Sequence, residues 1–488
     1  MSRLPGASRA LEPLDLTQGV RPAGSRMPSW QPPPSGLTST TSRPSTRSSR
    51  PRRSGCGCSD RPSHRPGRAS SLHTFHAYWR SAAAPEDSEQ VSVGTPFHPA
   101  TAPLNRKQQW REWSGYYASS VYADAHDIEY NAVREAAALI DVSPLYKYRV
   151  GGPDAPRLVD RVITRDATKL KVGQVFYTPW CDEHGKVIDD GTVHRLGETE
   201  YRWTAADPQY RWLSMNARGL DVSIEDESEA IAAVALQGPF SRAVLEAATG
   251  ESFAELRYFR RRAATLAGIE VDVSRTGYTG DLGYEVWIPA ARAVEAWDAL
   301  MAAGADYGIR PAGMLALDVV RLEAGLILLE VDYTSSRHAL NPEQSYSPAE
   351  IGLGRLVDLD GGDFVGRLAL RREAARGGPA RRLVGLTLDW YGIEGLYSAQ
   401  DLPPSISPSV DRSAVPVFGR VGPTQIGKVT SLGWSPILKQ AIGLASVPAA
   451  YEKAGTHLGV EWTVEGRRGR VDATVVPLPF LDLERKRA

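Results

Sequence analysis

The 488-residue sequence has only three cysteines, no net charge and no long apolar run. Cys56, Cys58 and Cys181 are too few and too unevenly spaced for a disulfide framework or a four-cysteine zinc site. No apolar stretch approaches the roughly 18 residues that a membrane-spanning helix needs. The 57 basic and 57 acidic side chains balance, so the basic surface typical of a nucleic-acid-binding protein is not expected. These absences predict a cytoplasmic protein that binds neither membranes nor nucleic acids.

Residues 1–90 differ in composition from the rest of the chain. Ser, Pro and Arg dominate the first part, where Glu12, Asp15 and Asp60 are the acids of residues 1–70. Such a segment buries too little apolar surface to offset the entropy lost on ordering, so we expect a disordered leader. An Arg- and Ser-rich, acid-poor leader also resembles a mitochondrial transit peptide, which would place the protein in the mitochondrial matrix. A plain unstructured tail or an over-extended start is the alternative.

Residues 91–374 alternate between helical and strand-like patterns, and residues 375–488 do not. The run 130–143 has apolar residues at helical spacing, and 310–333 predicts another long helix. Between them, two extended runs flank the turn EHGK and predict a β-hairpin. The last part has short β-type runs divided by Gly, Pro and Ser, which predicts a separate all-β domain with a long loop over 390–425.

The strand-like run VIDDGTV contains two adjacent acids, Asp189 and Asp190. Neighbouring side chains on a strand point to opposite faces, so we expect one of the two to point inward. An inward carboxylate is costly unless a partner or a ligand neutralises it. The pair therefore marks either a ligand site or an exposed strand end.

A glycine-rich connection, RTGYTGDLGYE, joins two predicted strands. Gly277, Gly280 and Gly283 can supply the positive φ angles of an irregular turn. A plain hairpin needs only two to five loop residues, and it requires neither Tyr278 nor Glu285. Aromatic rings beside a carboxylate suit a flat, polar heterocycle, so the segment is either a structural connection or part of a ligand site. Its glycine spacing excludes a Walker or dinucleotide loop, and scattered histidines give no indication of a metal site.

In chain order, several segments resemble the aminomethyltransferase family, which includes the T-protein of the glycine cleavage system. They are AVREAAALIDVS, VFYT…GKVIDDGTV, AVALQGPFSRAVLEA, SRTGYTGDLGYEVWIP, RPAGMLALDVVRLEAG, GDFVGRLAL, GKVTSLGWSPILKQAIGLASV and PFLD. The resemblance implies an α+β fold with a discontinuous N-terminal domain and a ferredoxin-like α/β domain, followed by a C-terminal β-barrel. A folate-binding domain would then span 91–374, and the barrel 375–488.

The resemblance also implies a tetrahydrofolate-dependent one-carbon transferase. Asp190 matches the second acid of the family's DD pair and would be the catalytic acid, orienting the folate nitrogens and stabilising developing positive charge. Tyr177 and Tyr278 match tyrosines of the pterin pocket. Glu285 matches the glutamate that accepts hydrogen bonds from the aminopyrimidine edge, and the glycines of RTGYTGDLGYE would make room for the ring.

Other positions depart from the T-protein pattern, and these departures concern the donor and the folate tail. This chain has Pro144 and Leu145 where the T-protein has a His-Met pair, Ala206 where it has an asparagine, and Leu317 where it has an arginine. It also has a LEVD segment ending at Asp332 in place of a YGQD-like segment, and Arg355 in place of a tryptophan. The resemblance therefore implies tetrahydrofolate binding more strongly than glycine cleavage. The donor would be an aminomethyl group on a lipoyl carrier protein or a small methylated compound, whose demethylation is the alternative activity. A non-catalytic folate-binding relative and a non-binding structural relative are further alternatives.

Overall fold

The computed structural model describes residues 92–487. The predicted leader over 1–90 lies outside this range, and Cys56 and Cys58 lie there with it. Within the range, Cys181 is a free and buried thiol. None of the helices between residues 92 and 487 combines the length and the apolar character that crossing a membrane requires.

Strands and helices alternate over most of the described residues. The strands are β1 (Val93–Gly94), β2 (Trp110–Trp113), β3 (Tyr116–Ser119), β4 (Ala138–Asp141), β5 (Tyr146–Gly151), β6 (Val175–Cys181), β7 (Val187–Gly197), β8 (Glu200–Ala205), β9 (Ser223–Asp226), β10 (Ile231–Gln237), β11 (Arg261–Leu266), β12 (Ile269–Ser274), β13 (Gly283–Pro289), β14 (Arg310–Pro311), β15 (Arg381–Leu388), β16 (Val415–Gly419), β17 (Gln425–Ser435), β18 (Gln440–Pro448), β19 (His457–Val464) and β20 (Arg467–Val476). The α-helices are α1 (His98–Thr101), α2 (His126–Glu135), α3 (Ala155–Val162), α4 (Tyr210–Asn216), α5 (Ser241–Thr249), α6 (Ala293–Ala303), α7 (Met314–Glu323), α8 (Arg367–Ala375) and α9 (Trp390–Ser398).

Two large sheets are built from interleaved parts of the chain. A six-stranded sheet has the order β11-β12-β13-β10-β4-β14, and a five-stranded sheet has the order β6-β7-β8-β5-β9. All five strands of the second sheet lie in the chain between β4 and β10, which are paired antiparallel in the first. One domain is therefore interrupted by another, so the discontinuous α+β arrangement that the resemblance implied is confirmed.

Strands β15–β20 close into an antiparallel barrel with the order β15-β18-β17-β16-β19-β20. Closure leaves no unpaired strand edge in this part of the chain. The predicted C-terminal β-barrel is confirmed. The predicted loop over 390–425 was partly wrong, because α9 and β16 lie within it. The side chain of Asp389 accepts a hydrogen bond from the amide of Gly392 at 2.7 Å and so caps α9.

Two predicted helices end earlier than their apolar patterns. The prediction over 130–143 was wrong after Glu135, because β4 begins at Ala138. The first three residues of β4 are buried, and a short run of buried apolar residues does not distinguish a strand from a buried helix. Within 310–333, α7 ends at Glu323, and Gly325 follows with a φ of +64°. That left-handed conformation ends the helix, as is common at helix C-termini.

Buried charges join α7 to the barrel. Arg321 donates from Nη1 to Asp332 at 2.8 Å and from Nη2 to the hydroxyl of Ser431 at 2.9 Å. Asp332 also accepts from the hydroxyl of Thr430 at 2.6 Å. Removing one partner of a buried ion pair leaves an uncompensated charge, at a cost of about 3–5 kcal/mol. The acid of the LEVD segment is therefore a structural anchor.

The hairpin predicted around EHGK is confirmed, and it carries Asp190. In its turn, Gly185 has a φ of +72°, and Oδ1 of Asp182 accepts from the amides of His184 and Lys186, both at 2.9 Å. These bonds fix the turn and hence the register of β6 against β7. In that register Pro179 lies opposite Asp190.

Candidate active site

Asp190 lies half-buried on β7, where two tyrosine hydroxyls donate to its two oxygens. Tyr177, on the neighbouring strand β6, donates to Oδ2 at 2.7 Å. Tyr333, in the segment after α7, donates to Oδ1. Burial raises the pKa of Asp190, both hydroxyls lower it, and the charge of Asp332 raises it. The pKa of Asp190 therefore stays above its ordinary value, and the two donated hydrogen bonds limit how far burial raises it.

Tyr333 was missing from the sequence-based predictions. It directly follows the aligned Asp332, but 143 residues separate it from Asp190 in the chain. Its own pKa is raised well above the ordinary range by burial and by the charges of Asp190 and Asp189. The hydroxyl therefore stays protonated and continues to donate.

Asp189 is the inward-pointing acid of the pair, and it is fully buried. Its carboxylate accepts from the amides of Asp190 at 2.7 Å, Ala206 at 3.1 Å and Asp207 at 3.0 Å, and from Nε2 of Gln209 at 3.3 Å. Burial and the charge of Asp190 raise the pKa of Asp189, and the backbone donors lower it. Because protein groups satisfy this carboxylate, Asp189 serves to hold the turn after β8.

Tyr177 and Tyr278 bring two aromatic rings to Asp190. Both are half-buried and pack against the same core cluster. The hydroxyl of Tyr278 donates to the carbonyl of Ile327, which fixes the ring. Burial raises the pKa of both tyrosines, and the charge of Asp190 raises both further. They are therefore neutral aromatic walls beside an anion.

Glu285 lies half-buried on β13, in the neighbouring sheet. The hydroxyl of Thr276 donates to its Oε2 at 2.5 Å, while no residue between 92 and 487 donates a hydrogen bond to its Oε1. Burial raises the pKa of Glu285, and the Thr276 hydroxyl lowers it. Two residues along β13, the ring of Trp287 contacts His194 of β7 with centroids 5.3 Å apart. The strands that carry Glu285 and Asp190 are thus connected through buried side chains.

The glycines of RTGYTGDLGYE leave room for a protein side chain, so the expectation that they make room for a ring was wrong. A Cβ added at Gly277 would lie 2.2 Å from Oε1 of Gln237, and one at Gly283 would lie 2.3 Å from its amide carbon. Of the three, Gly280 alone has a positive φ, +69°. The Gln237 amide is held in turn, since the hydroxyl of Thr279 donates to its Oε1 at 2.7 Å.

Gly277→Ala is accordingly expected to lower the free energy of unfolding by about 1–3 kcal/mol, the usual cost of overpacking. The matched control is Gly395→Ala, an exposed position inside α9 with no atom within 4 Å of the added Cβ. That change is expected to stabilise the protein by about 0.5–1 kcal/mol, because alanine favours helix over glycine. Denaturant unfolding measures both values. Equal stability of Gly277→Ala and the wild type would contradict the close packing of Gln237.

Among the positions that depart from the T-protein pattern, Leu145 and Ala206 are half-buried and pack against the same core cluster as the site tyrosines. Leu317 is buried within that cluster. Arg355 is exposed, and its charge lowers the pKa of Tyr177. The departures therefore put apolar side chains in the core near the site and a cation within electrostatic reach of it.

Models of two protein-domain families match the chain. The GCVT N-terminal domain matches residues 98–361, and the glycine cleavage T-protein C-terminal barrel domain matches residues 381–482. The first match includes both sheets and all four predicted site residues. The second includes the barrel.

Individual relatives and a solved structure are similar over most of the chain. An aminomethyltransferase of Halothermothrix orenii is 36% identical over 357 residues, which is 72% of this chain and 90% of that protein. A trimethylamine-oxide aldolase of Ruegeria pomeroyi is 35% identical over 432 residues, which is 86% of this chain but 51% of that protein, so this chain spans about half of its length. The crystal structure of glycine cleavage system aminomethyltransferase T from Bartonella henselae superposes with a TM-score of 0.67 at 25% identity, covering 80% of this chain and 99% of that one.

Proposed function

This chain belongs to the glycine cleavage T-protein family, and from that membership we propose that it transfers a one-carbon group to tetrahydrofolate. The observation that carries the proposal is the half-buried Asp190, whose two oxygens accept from the hydroxyls of Tyr177 and Tyr333. An anion held in this way beside aromatic rings suits a reaction in which positive charge develops on a bound heterocycle.

The residues present fit the folate ring system. A pterin offers adjacent N–H donors along its aminopyrimidine edge, and Oε1 of Glu285 has no donor among residues 92–487. The neutral rings of Tyr177 and Tyr278 suit the flat faces of the pterin, since both are fixed by hydrogen bonds of their hydroxyls. Glu285 would thus hold the pterin edge, and the tyrosines would cover the ring.

The chain's own groups would act on charge and on orientation. When bound, tetrahydrofolate supplies the nucleophilic nitrogen that accepts the one-carbon group. Asp190 would stabilise the positive charge that develops there, and the two phenols donate to its carboxylate and hold it in one orientation. Because the carboxylate is already fixed, no reorganisation is needed when the charge appears. The half-buried setting would also limit water near the reacting groups.

Two kinds of donor follow from the relatives. Similarity to aminomethyltransferases favours an aminomethyl group on a lipoyl carrier protein. Similarity to a trimethylamine-oxide aldolase over 86% of this chain, against 72% for the aminomethyltransferase, favours a methylated amine compound as the second candidate. In either case the acceptor site would be the same.

A transfer assay tests the proposal and separates the donors. The protein is incubated with tetrahydrofolate and either an aminomethyl-loaded lipoyl carrier or trimethylamine N-oxide, and 5,10-methylene-tetrahydrofolate is measured. Product with the carrier supports an aminomethyltransferase, and product with the N-oxide supports the second candidate. No enzyme-dependent product with either donor would count against the proposed transfer.

Tyr333→Phe is expected to move the acidic limb of the kcat/KM profile to higher pH. The Tyr333 hydroxyl lowers the pKa of Asp190, which burial raises. Removing that hydroxyl raises the pKa further, so the carboxylate protonates earlier as the pH falls. A hydrogen bond to a charged group contributes about 1.5–3 kcal/mol, so the limb should move by about one to two pH units. The control, Tyr391→Phe on an exposed part of α9, should leave the profile unchanged. An identical acidic limb in both variants would contradict the role of Tyr333.

A further inference from the structure

Three side chains lead from the core to Glu285: Trp287 on β13, Ser274 at the end of β12, and Thr276 in the segment that follows β12. The indole Nε1 of Trp287 lies 3.2 Å from the hydroxyl of Ser274, which lies 2.8 Å from the hydroxyl of Thr276. Thr276 in turn lies 2.5 Å from Oε2 of Glu285. Ser274 is directly opposite Glu285 in the pairing of β12 with β13. Because side chains two residues apart share a strand face, Trp287 extends this row along β13.

The direction of these hydrogen bonds is fixed by chemistry. An indole N–H can only donate, so the Ser274 oxygen accepts from Trp287. Thr276 uses its single proton on Oε2 of Glu285, so the hydrogen bond between the two hydroxyls runs from Ser274 to Thr276. Trp287, Ser274 and Thr276 are all buried, so water has little access to compete for these protons. The row therefore ends in a hydrogen-bond donor, the Thr276 hydroxyl, from which Oε2 of Glu285 accepts.

We propose that Ser274 and Thr276 are positioning residues that hold Glu285 as a hydrogen-bond acceptor, so that its Oε1 selects ligands presenting an N–H group and rejects those presenting a carbonyl. The inference rests on the proposed function and deepens it. The selected edge is that of a 2-amino-4-oxopyrimidine, and the rejected edge is that of a 2,4-dioxopyrimidine. A 2-oxo group placed opposite Oε1 would bring two acceptors together, and a site built for one hydrogen-bonding pattern rejects the other strongly.

Two substitutions of Thr276 separate its hydroxyl from its shape. Thr276→Val removes the hydroxyl and keeps the branched side chain, and Thr276→Ser keeps the hydroxyl. The dissociation constant of each is measured for tetrahydrofolate and for its analogue with a 2-oxo group in place of the 2-amino group. The readout is the dissociation constant of the analogue divided by that of tetrahydrofolate. A general loss of structure would not change this ratio in a defined direction.

The wild type and Thr276→Ser are expected to prefer tetrahydrofolate strongly. In Thr276→Val, affinity for tetrahydrofolate should fall about tenfold and the ratio should fall by a similar factor, since one hydrogen bond to a charged group is lost. If Thr276→Val fails to fold by circular dichroism, Ser274→Ala takes its place, and it should lower the ratio by a smaller factor.

Different results would contradict the positioning role of Ser274 and Thr276 and the proposed function. A ratio in the folded valine or alanine variant equal to that of the wild type would overturn the positioning role, as would an equal loss in Thr276→Ser. Both results leave tetrahydrofolate binding by the wild type intact. Failure of the wild type to bind tetrahydrofolate would instead contradict the proposed function.

Discussion

Asp190→Asn should lower the rate of one-carbon transfer by about 100- to 1,000-fold while tetrahydrofolate still binds. The amide matches the carboxylate in size, and one of the hydroxyls of Tyr177 and Tyr333 can turn to accept from its NH₂ group while the other still donates to its oxygen. What disappears is the negative charge beside the reacting nitrogen. Because that charge acts mainly when positive charge develops, kcat should fall much more than affinity.

The measurement is the rate of methylene-tetrahydrofolate formation, together with the dissociation constant of tetrahydrofolate for the same preparation. Asp298→Asn, on the exposed side of α6, is the matched control and should retain the wild-type rate. If Asp190→Asn kept the wild-type kcat, Asp190 would not be the catalytic acid. If Asp190→Asn weakened tetrahydrofolate binding by as large a factor as it lowered the transfer rate, the carboxylate would stabilise the bound ligand before the reaction as much as during it.

Glu285→Gln should weaken tetrahydrofolate binding by about 30- to 150-fold, which corresponds to the loss of about 2–3 kcal/mol from a hydrogen bond to a charged group. The glutamine keeps the volume, and its carbonyl oxygen can still accept from Thr276. Its NH₂ group would then occupy the position of Oε1. Two donors would meet at the pterin edge, and the ligand's N–H would lose its acceptor.

Glu255→Gln is the control for this change, because Glu255 is exposed in the segment between α5 and β11. Calorimetry on both variants should show a loss for Glu285→Gln and the wild-type constant for Glu255→Gln. Equal affinity of the two variants for tetrahydrofolate would show that Glu285 does not bind the pterin. Unlike Asp190→Asn, Glu285→Gln should recover much of its rate at saturating tetrahydrofolate, since it affects binding.

Features set by local periodicity could be predicted from the sequence. The strand period of two predicted that one acid of VIDDGTV points inward, and Asp189 does. Turn chemistry predicted the EHGK hairpin, and repeated short runs predicted the barrel. The resemblance supplied the order of domains, which no local pattern contains.

Features set by contacts between distant parts of the chain could not be predicted in this way. Tyr333 reaches Asp190 across 143 residues, and no local pattern marks its hydroxyl as a partner. The role of Gly277 depends on Gln237, which comes from another strand. The sequence of β4 was predicted as part of a helix because its first three residues are buried. The alternation of buried and exposed residues that identifies a half-buried strand is therefore absent.

Calorimetric titration of the wild-type protein with tetrahydrofolate tests the central claim most directly. The Asp190 site, with Tyr278 and Glu285, predicts saturable binding at one site per chain. Absence of saturable binding up to millimolar tetrahydrofolate would contradict it, whatever the donor.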